Sequence, residues 1–223
     1  MPQCDITSGE LLCWIDRLVA VAEGNSMKLL SIGRRMRGQS LRPYRPDMTT
    51  LNDYLEQKRD AWLAKKEAAR SNPELKATPL KATVRALGRS GVREIRIRDF
   101  QVISDSPPDF AGYNLGPASP ELQLGVLGSC LTHITLIQAA ERGLKIDSIE
   151  VEVTGDQHPL AQQPGFEHVP VFPHNLRYTL DIVSPEPPET IRALHQAVEA
   201  ICPIFNLLRL PQTIDGELRH THG

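Results

Sequence analysis

Cysteine is scarce in this chain. Four cysteines in 223 residues are too few for a disulfide scaffold. None stands in a CxxC or Cys/His spacing that suggests zinc. A Walker loop, GxGxxG, HExxH and GxSxG are also missing, so the common signatures of nucleotide, zinc-protease and serine-hydrolase chemistry are absent. Charge of one sign is not in excess. A formal net charge of −2 argues against nucleic-acid or membrane binding through bulk electrostatics. Met1 to Gly24 lacks the basic start and apolar core of a signal peptide. Internal repeats and low-complexity tracts are absent too. The expectation is a soluble cytoplasmic protein without metal or cofactor, its thiols free at rest or redox-active. Its length suits one good core, or one domain with an appended arm.

Residues 1–76 read as a helical arm that packs on something else. Leu11, Leu12, Ile15, Leu18 and Val19 fit helical spacing, with Ser8 as a cap. A basic loop from Gly33 to Pro46 carries Arg34, Arg35, Arg37, Arg42 and Arg45, an arrangement more typical of a solvated or carboxylate-paired loop than of a nucleic-acid site. Thr50 can cap a second helix with Leu51, Tyr54, Leu55 and Trp62 on one side. Cys4 and Cys13 have no identifiable partner, and Cys13 suits core filling.

From Leu80 the period changes to two. Leu80, Ala82, Val84 and Ala86 alternate with polar residues, Gly88–Gly91 reads as a hairpin turn, and Ile95 and Ile97 mark the return strand. The parity shifts at Asp99, where Phe100 and Val102 take over, and a bulge or bend is expected there. Ser106–Gly116 is loop. A central helix follows and stops near Gly143. Ile149, Val151 and Val153 then mark one strand, and Leu176, Tyr178, Leu180 and Ile182 another. A last helix buries Ile191, Leu194, Val198 and Ile201 and stops at Cys202-Pro203. The order β-β(-β)-α-β-β-α predicts an α+β domain over 77–213 with antiparallel strands. Residues 214–223 form a tail.

The central helix is the most informative stretch. Ser119 can cap it, Pro120 suits the first position and Glu121 meets the positive end of its dipole. From Leu122 to Ala140 nearly every face is apolar or small, which predicts a buried helix. Gln123, Ser129, Thr132, His133 and Gln138 interrupt it too often for a membrane span. Gly125 and Gly128 each cost helix propensity of roughly 1 kcal/mol, and make sense if another backbone approaches closely. Cys130 sits mid-helix, where a dipole gives a thiolate little help. Activation needs a cation, from His133 one turn on or from Arg85, Arg89, Arg93, Arg96 or Arg98 of the first hairpin. Otherwise Cys130 is a small buried hydrophobe and His133 a hydrogen-bonded core histidine. Cys202, at a helix C-terminus, is a poor primary nucleophile and an acceptable resolving thiol if it lies beside Cys130. Glu121 stands nine residues before Cys130, about 13.5 Å along one helix, so it caps the helix or acts at a site in another subunit. His158, His168 and His174 are too dispersed for a convincing metal site.

Pro120-Glu-Leu-Gln-Leu-Gly-Val-Leu-Gly-Ser-Cys130 resembles the P-x-E-x-L-L-A-A-L-G-S-C helix of the OsmC/Ohr family of thiol peroxidases, in its general OsmC-like branch. Here the proline directly precedes the glutamate. Gly143–Asp156 resembles the strand after that helix, and Cys202-Pro-Ile-Phe-Asn-Leu-Leu-Arg209 resembles the C-P-V-x-x-x-L segment. The resemblance implies an α+β fold with antiparallel sheets around a long buried central helix, in an intertwined homodimer. It implies Cys130 as the peroxidatic cysteine, Cys202 as the resolving cysteine and Glu121 as the family's glutamate. Its catalytic arginine comes from the first hairpin, where Arg89 is the closest match and Arg85 a rival. Arg85 and His133 are further sources of thiolate stabilisation. The implied function is reduction of organic hydroperoxides through a Cys130 sulfenic acid and a Cys130–Cys202 disulfide, in oxidative stress defence, with an external dithiol as reductant. The alternative is a non-catalytic protein of the same fold that binds an apolar small molecule. The helical extension over 1–76 and His133 have no counterpart in the family pattern.

Overall fold

The computed structural model describes residues 50–223. The helix expected at Leu11–Val19, the arginine loop Gly33–Pro46, Cys4 and Cys13 lie outside the described residues.

Helix α1 runs Leu51–Arg70. Thr50 starts it with a reciprocal cap: its hydroxyl accepts the Asp53 N–H at 3.2 Å, and the Asp53 carboxylate accepts the Thr50 N–H at 3.0 Å. This satisfies two of the donors that every helix start leaves open. Strands β1 (Thr83–Ala86), β2 (Arg93–Ile97) and β3 (Phe100–Ser104) form an antiparallel sheet in that order. Helix α2 spans Ser119–Arg142, β4 Ser148–Asp156, β5 His174–Val183, α3 Pro188–Ile201 and α4 Pro203–Arg209. Strands β4 and β5 pair antiparallel as a second sheet.

The parity shift at Asp99 is a hairpin, not a bulge. Ile97 pairs with Phe100 and Ile95 with Val102, which leaves Arg98 and Asp99 as a two-residue turn. Arg98 takes the left-handed backbone (φ 55°) that such a turn requires. Cross-strand partners share a face, so Val84, Ile95, Ile97, Phe100 and Val102 make one apolar surface across three strands. No described residue covers it. Val84 is 57% exposed and Phe100 63%. The buried side chain of β2 is instead Glu94, on the opposite face, where Arg85 and Arg96 hold it at 2.6 and 2.9 Å.

The core lies elsewhere, between α2, the β4–β5 sheet, α3 and α1. It contains Leu55, Leu127, Leu131, Ala139, Ala140, Ile146, Leu194, Val198 and Cys202. Ile149, Val151 and Val153 of β4 and Tyr178 and Ile182 of β5 pack against it. Ile201, expected in the buried stripe, is 51% exposed. Cys202, four residues after Val198, takes the inward position in its place.

Helix α2 is buried on one side only. Glu121, Gly125, Val126, Ser129 and His133, at helical spacing, form an exposed stripe. The helix is long and apolar enough to cross a membrane by length and composition, yet α1, β4, α3 and α4 pack against it. The two glycines divide. A Cβ on Gly128 would come within 3.3 Å of Val153, the close strand approach expected of it, whereas Gly125 faces open space. Gly143 ends the helix in the left-handed conformation (φ 67°), its N–H reaching back to Ala140 O.

Candidate active site

Cys130 and Cys202 meet. Their sulfurs are 3.5 Å apart across 72 residues of sequence, both thiols are free, and Cys202 is fully buried. α2 brings Cys130 to this point, and the α3–α4 junction brings Cys202. The junction differs from expectation. Cys202 ends α3, its N–H bonding Val198 O at 2.8 Å, and it also caps α4, since Pro203 occupies the first turn of a new helix. Burial pushes its thiol up from the usual value, against the backbone N–H groups of Phe205 and Ile204 that favour a thiolate, while the neighbouring Cys130 pushes it up further. Cys202 is held protonated near neutral pH, which suits a second nucleophile better than a first.

An open groove of about 400 Å³ leads to Cys130, lined by Leu122, Gly125, Val126, Ser129, His133 and Ile204. Its walls are mostly apolar, and Gly125 keeps it open. His133 lines the same groove, but among the described residues the thiol's hydrogen-bond partner is Cys202. Burial, and the charges of Lys58 and Lys65 on α1, push its imidazole below the usual value of about 6.5. At neutral pH His133 is therefore uncharged and supplies no full cation to Cys130.

Glu121 caps α2 rather than reaching Cys130. The helix starts one residue earlier than expected, with Ala118 at the cap, and the Glu121 carboxylate accepts the Ala118 N–H at 2.6 Å. Glu121 also borders a separate hollow of about 440 Å³ between α2 and β4. Arg85 is engaged by Glu94, whose carboxyl is held below its ordinary value first by Arg96, against the effect of burial, and then by Arg85. Arg89 lies in the β1–β2 turn and has no hydrogen-bond or ion-pair partner among the described residues. Within one chain neither arginine is bonded to Cys130.

Sequence reasoning missed two polar groups. Asp105 is fully buried, and its carboxylate accepts the N–H groups of Tyr113 at 2.9 Å and Leu115 at 3.1 Å, folding the loop before α2 back on itself. Tyr178 Oη lies 2.6 Å from both Glu199 Oε1 and His195 Nε2. Tyr178 donates to the carboxylate, so His195 is the donor to Tyr178. Burial, then Glu199, pushes the Tyr178 hydroxyl far above its usual range. The i,i+4 spacing of His195 and Glu199 was the one available signal. The histidines at 158, 168 and 174 do not converge, and among the described residues no group of three His, Cys, Asp or Glu could hold a metal ion.

Residues 112–217 match the profile of the OsmC-like protein family. Over this stretch the chain is similar to OsmC-like proteins. Both site cysteines, Glu121 and the whole of α2 fall inside the matched stretch, while α1 and strands β1–β3 precede it. The fold agrees with a solved OsmC-like protein from Mycoplasma pneumoniae, 19% identical, over 60% of this chain and 89% of that one, with a TM-score of 0.52. Other similar structures include an organic hydroperoxide resistance protein from Vibrio cholerae (19% identity, 62% and 89% coverage, TM-score 0.45) and OhrB of Bacillus subtilis (20%, 59% and 91%, 0.41). No curated protein matches the chain.

Proposed function

We propose that this OsmC-like protein is a thiol peroxidase for organic hydroperoxides. The observation that carries the reading is the 3.5 Å contact between Cys130, which lines an open apolar groove, and Cys202, which is buried behind it. The Cys130 thiolate attacks the distal peroxide oxygen. The S–O bond forms as the O–O bond breaks, the alkoxide takes up a proton and leaves as the alcohol, and Cys130 becomes a sulfenic acid. The Cys202 thiol then attacks that sulfur. The disulfide forms and the thiol proton leaves with the hydroxyl as water. Two electrons from an external dithiol restore both thiols, which fits a reducing, cytoplasmic setting.

The thiolate needs a cation, and among the described residues no lysine or arginine is bonded to Cys130. In this proposal a second copy supplies it. The uncovered apolar face of β1–β3 and the exposed stripe of α2 are the surfaces such a homodimer would bury. Arg89, unpartnered in its turn, then stabilises the thiolate and the departing oxygen, with Glu121 of one chain orienting the arginine of the other. Arg85 is the lesser candidate because Glu94 already engages it.

The test is turnover of an organic hydroperoxide with a dithiol reductant. Cys130→Ser abolishes it. Cys202→Ser permits one oxidation per site and then stops. Full activity in Cys130→Ser would overturn the proposal, and sustained dithiol-driven turnover in Cys202→Ser would remove the resolving role.

A further inference from the structure

We infer that Asn206 is a positioning residue for the resolving step: its side-chain amide locks the α3–α4 junction so that the Cys202 sulfur faces Cys130. The inference rests on the peroxidase reading above and adds a residue to it. Asn206 lies in α4, four residues after Cys202.

The junction has a backbone problem. Cys202 ends α3, and its own N–H is satisfied by Val198 O. If α3 continued, the next residue would donate its N–H to Glu199 O. That residue is Pro203, which has no N–H to give. The Asn206 amide supplies the missing donor. Its Nδ2 lies 3.0 Å from Glu199 O and 2.9 Å from Cys202 O. Nδ2 carries two hydrogens, and these two contacts use both. The Asn206 backbone N–H also bonds Cys202 O, at 3.0 Å. One residue thus ties the last turn of α3 to the first turn of α4, with Cys202 at the corner.

A second tie holds the same corner to the β4–β5 sheet. Glu199, whose carbonyl takes the Asn206 amide, also accepts a hydrogen bond from Tyr178 Oη on β5 at 2.6 Å. The Tyr178 ring meets Phe205, the residue before Asn206, edge-on at 6.0 Å between centroids. Strand β5 therefore braces α3 through Glu199 and α4 through Phe205. Cys202 between them is fully buried, and its sulfur is 3.5 Å from that of Cys130. A covalent S–S bond is much shorter than this contact, so the junction must keep the sulfur aimed while the gap closes. Loss of aim slows that step and spares the first, because Cys130 is carried by α2.

The experiment reads the two steps separately in the full chain, with Cys4→Ser and Cys13→Ser to leave only the site thiols. The aromatic disulfide dithiobis-nitrobenzoate replaces the hydroperoxide. The Cys130 thiolate attacks it, forming a mixed disulfide and releasing one coloured thionitrobenzoate. The Cys202 thiol then loses its proton, attacks the Cys130 sulfur and displaces the second thionitrobenzoate, leaving the Cys130–Cys202 disulfide. Asn206→Asp keeps the shape of the side chain and removes both donors. It should slow the second release about tenfold while the first keeps the wild-type rate. Tyr178→Phe keeps the ring, removes the tie to Glu199 and should slow the second release about threefold. An Asn206 with a purely structural role would lower the thermal midpoint and leave the ratio of the two rates untouched. An unchanged second release in Asn206→Asp would overturn the inference, as would equal slowing of both releases or a wild type that stops after the first. If Asn206→Asp does not fold, Tyr178→Phe decides in the same way. No peroxide is used, so a selectively slowed second release supports the role of Asn206 even where hydroperoxides leave Cys130 unoxidised, a result that would reject the peroxidase reading alone.

Discussion

The two sheets are built from similar alternating sequences and end in opposite situations. Strand β4 sends Ile149, Val151 and Val153 inward onto α2, and β5 adds Tyr178 and Ile182. Strands β1–β3 also carry an apolar face, and among the described residues it remains open, with Phe100 63% exposed. The β4–β5 sheet closes a core around the cysteine pair. The β1–β3 sheet buries a carboxylate, Glu94, between two arginines and leaves its hydrophobic side unused. A sheet that is apolar on one face must cover that face. The difference separates what the described residues complete, which is the cysteine pair, from the open face that the proposed homodimer would cover.

Substitutions on the two sides should behave differently. Leu131→Ala, on the fully buried face of α2, should destabilise the protein by about 2–5 kcal/mol, read from urea denaturation. A loss under about 1 kcal/mol would mean that α2 does not anchor the core. Phe100→Glu, on the open sheet face, should leave the chain folded and shift it from dimer to monomer in sedimentation, with loss of peroxide turnover. A Phe100→Glu protein that sediments like the wild type would remove that face from the interface.

The smallest effect concerns pH. Glu94 is held below its ordinary value chiefly by Arg96, so its charged form stabilises the fold above the unfolded carboxyl value of about 4.5. That contribution is lost as pH falls through the lower, folded value. Glu94→Gln should therefore lower the thermal midpoint near neutrality, and the gap from wild type should narrow as pH drops below about 4.5. A gap that stays constant down to acid pH would show that the Arg85–Glu94–Arg96 group contributes through packing alone.

Much of this architecture is legible in the sequence because local signals dominate it. Period-two alternation marks β4 and β5, Gly143 marks the end of α2, and the spacing of Leu194 and Val198 marks the inner face of α3. What escaped depends on which strands and helices pair or cross. The hairpin at Arg98–Asp99 looks like a bulge until its cross-strand pairs are known. Glu94 alternates with Ile95 and reads as solvent-facing, yet Arg85 from another strand allows its burial. Cys202 reads as a helix end, and Pro203 as a stop, although proline equally suits a helix start. The meeting of Cys130 and Cys202 was stated only as a condition, because the crossing of α2 with the α3–α4 junction is a matter of tertiary packing.

The most direct test is intact-mass spectrometry with peptide mapping of the reduced protein after one equivalent of an organic hydroperoxide. The account predicts rapid formation of a Cys130–Cys202 disulfide, seen as one cross-linked peptide pair and the loss of two hydrogens. Two unreacted thiols after exposure would contradict it, because cysteines placed this close would then be packing groups rather than a redox pair.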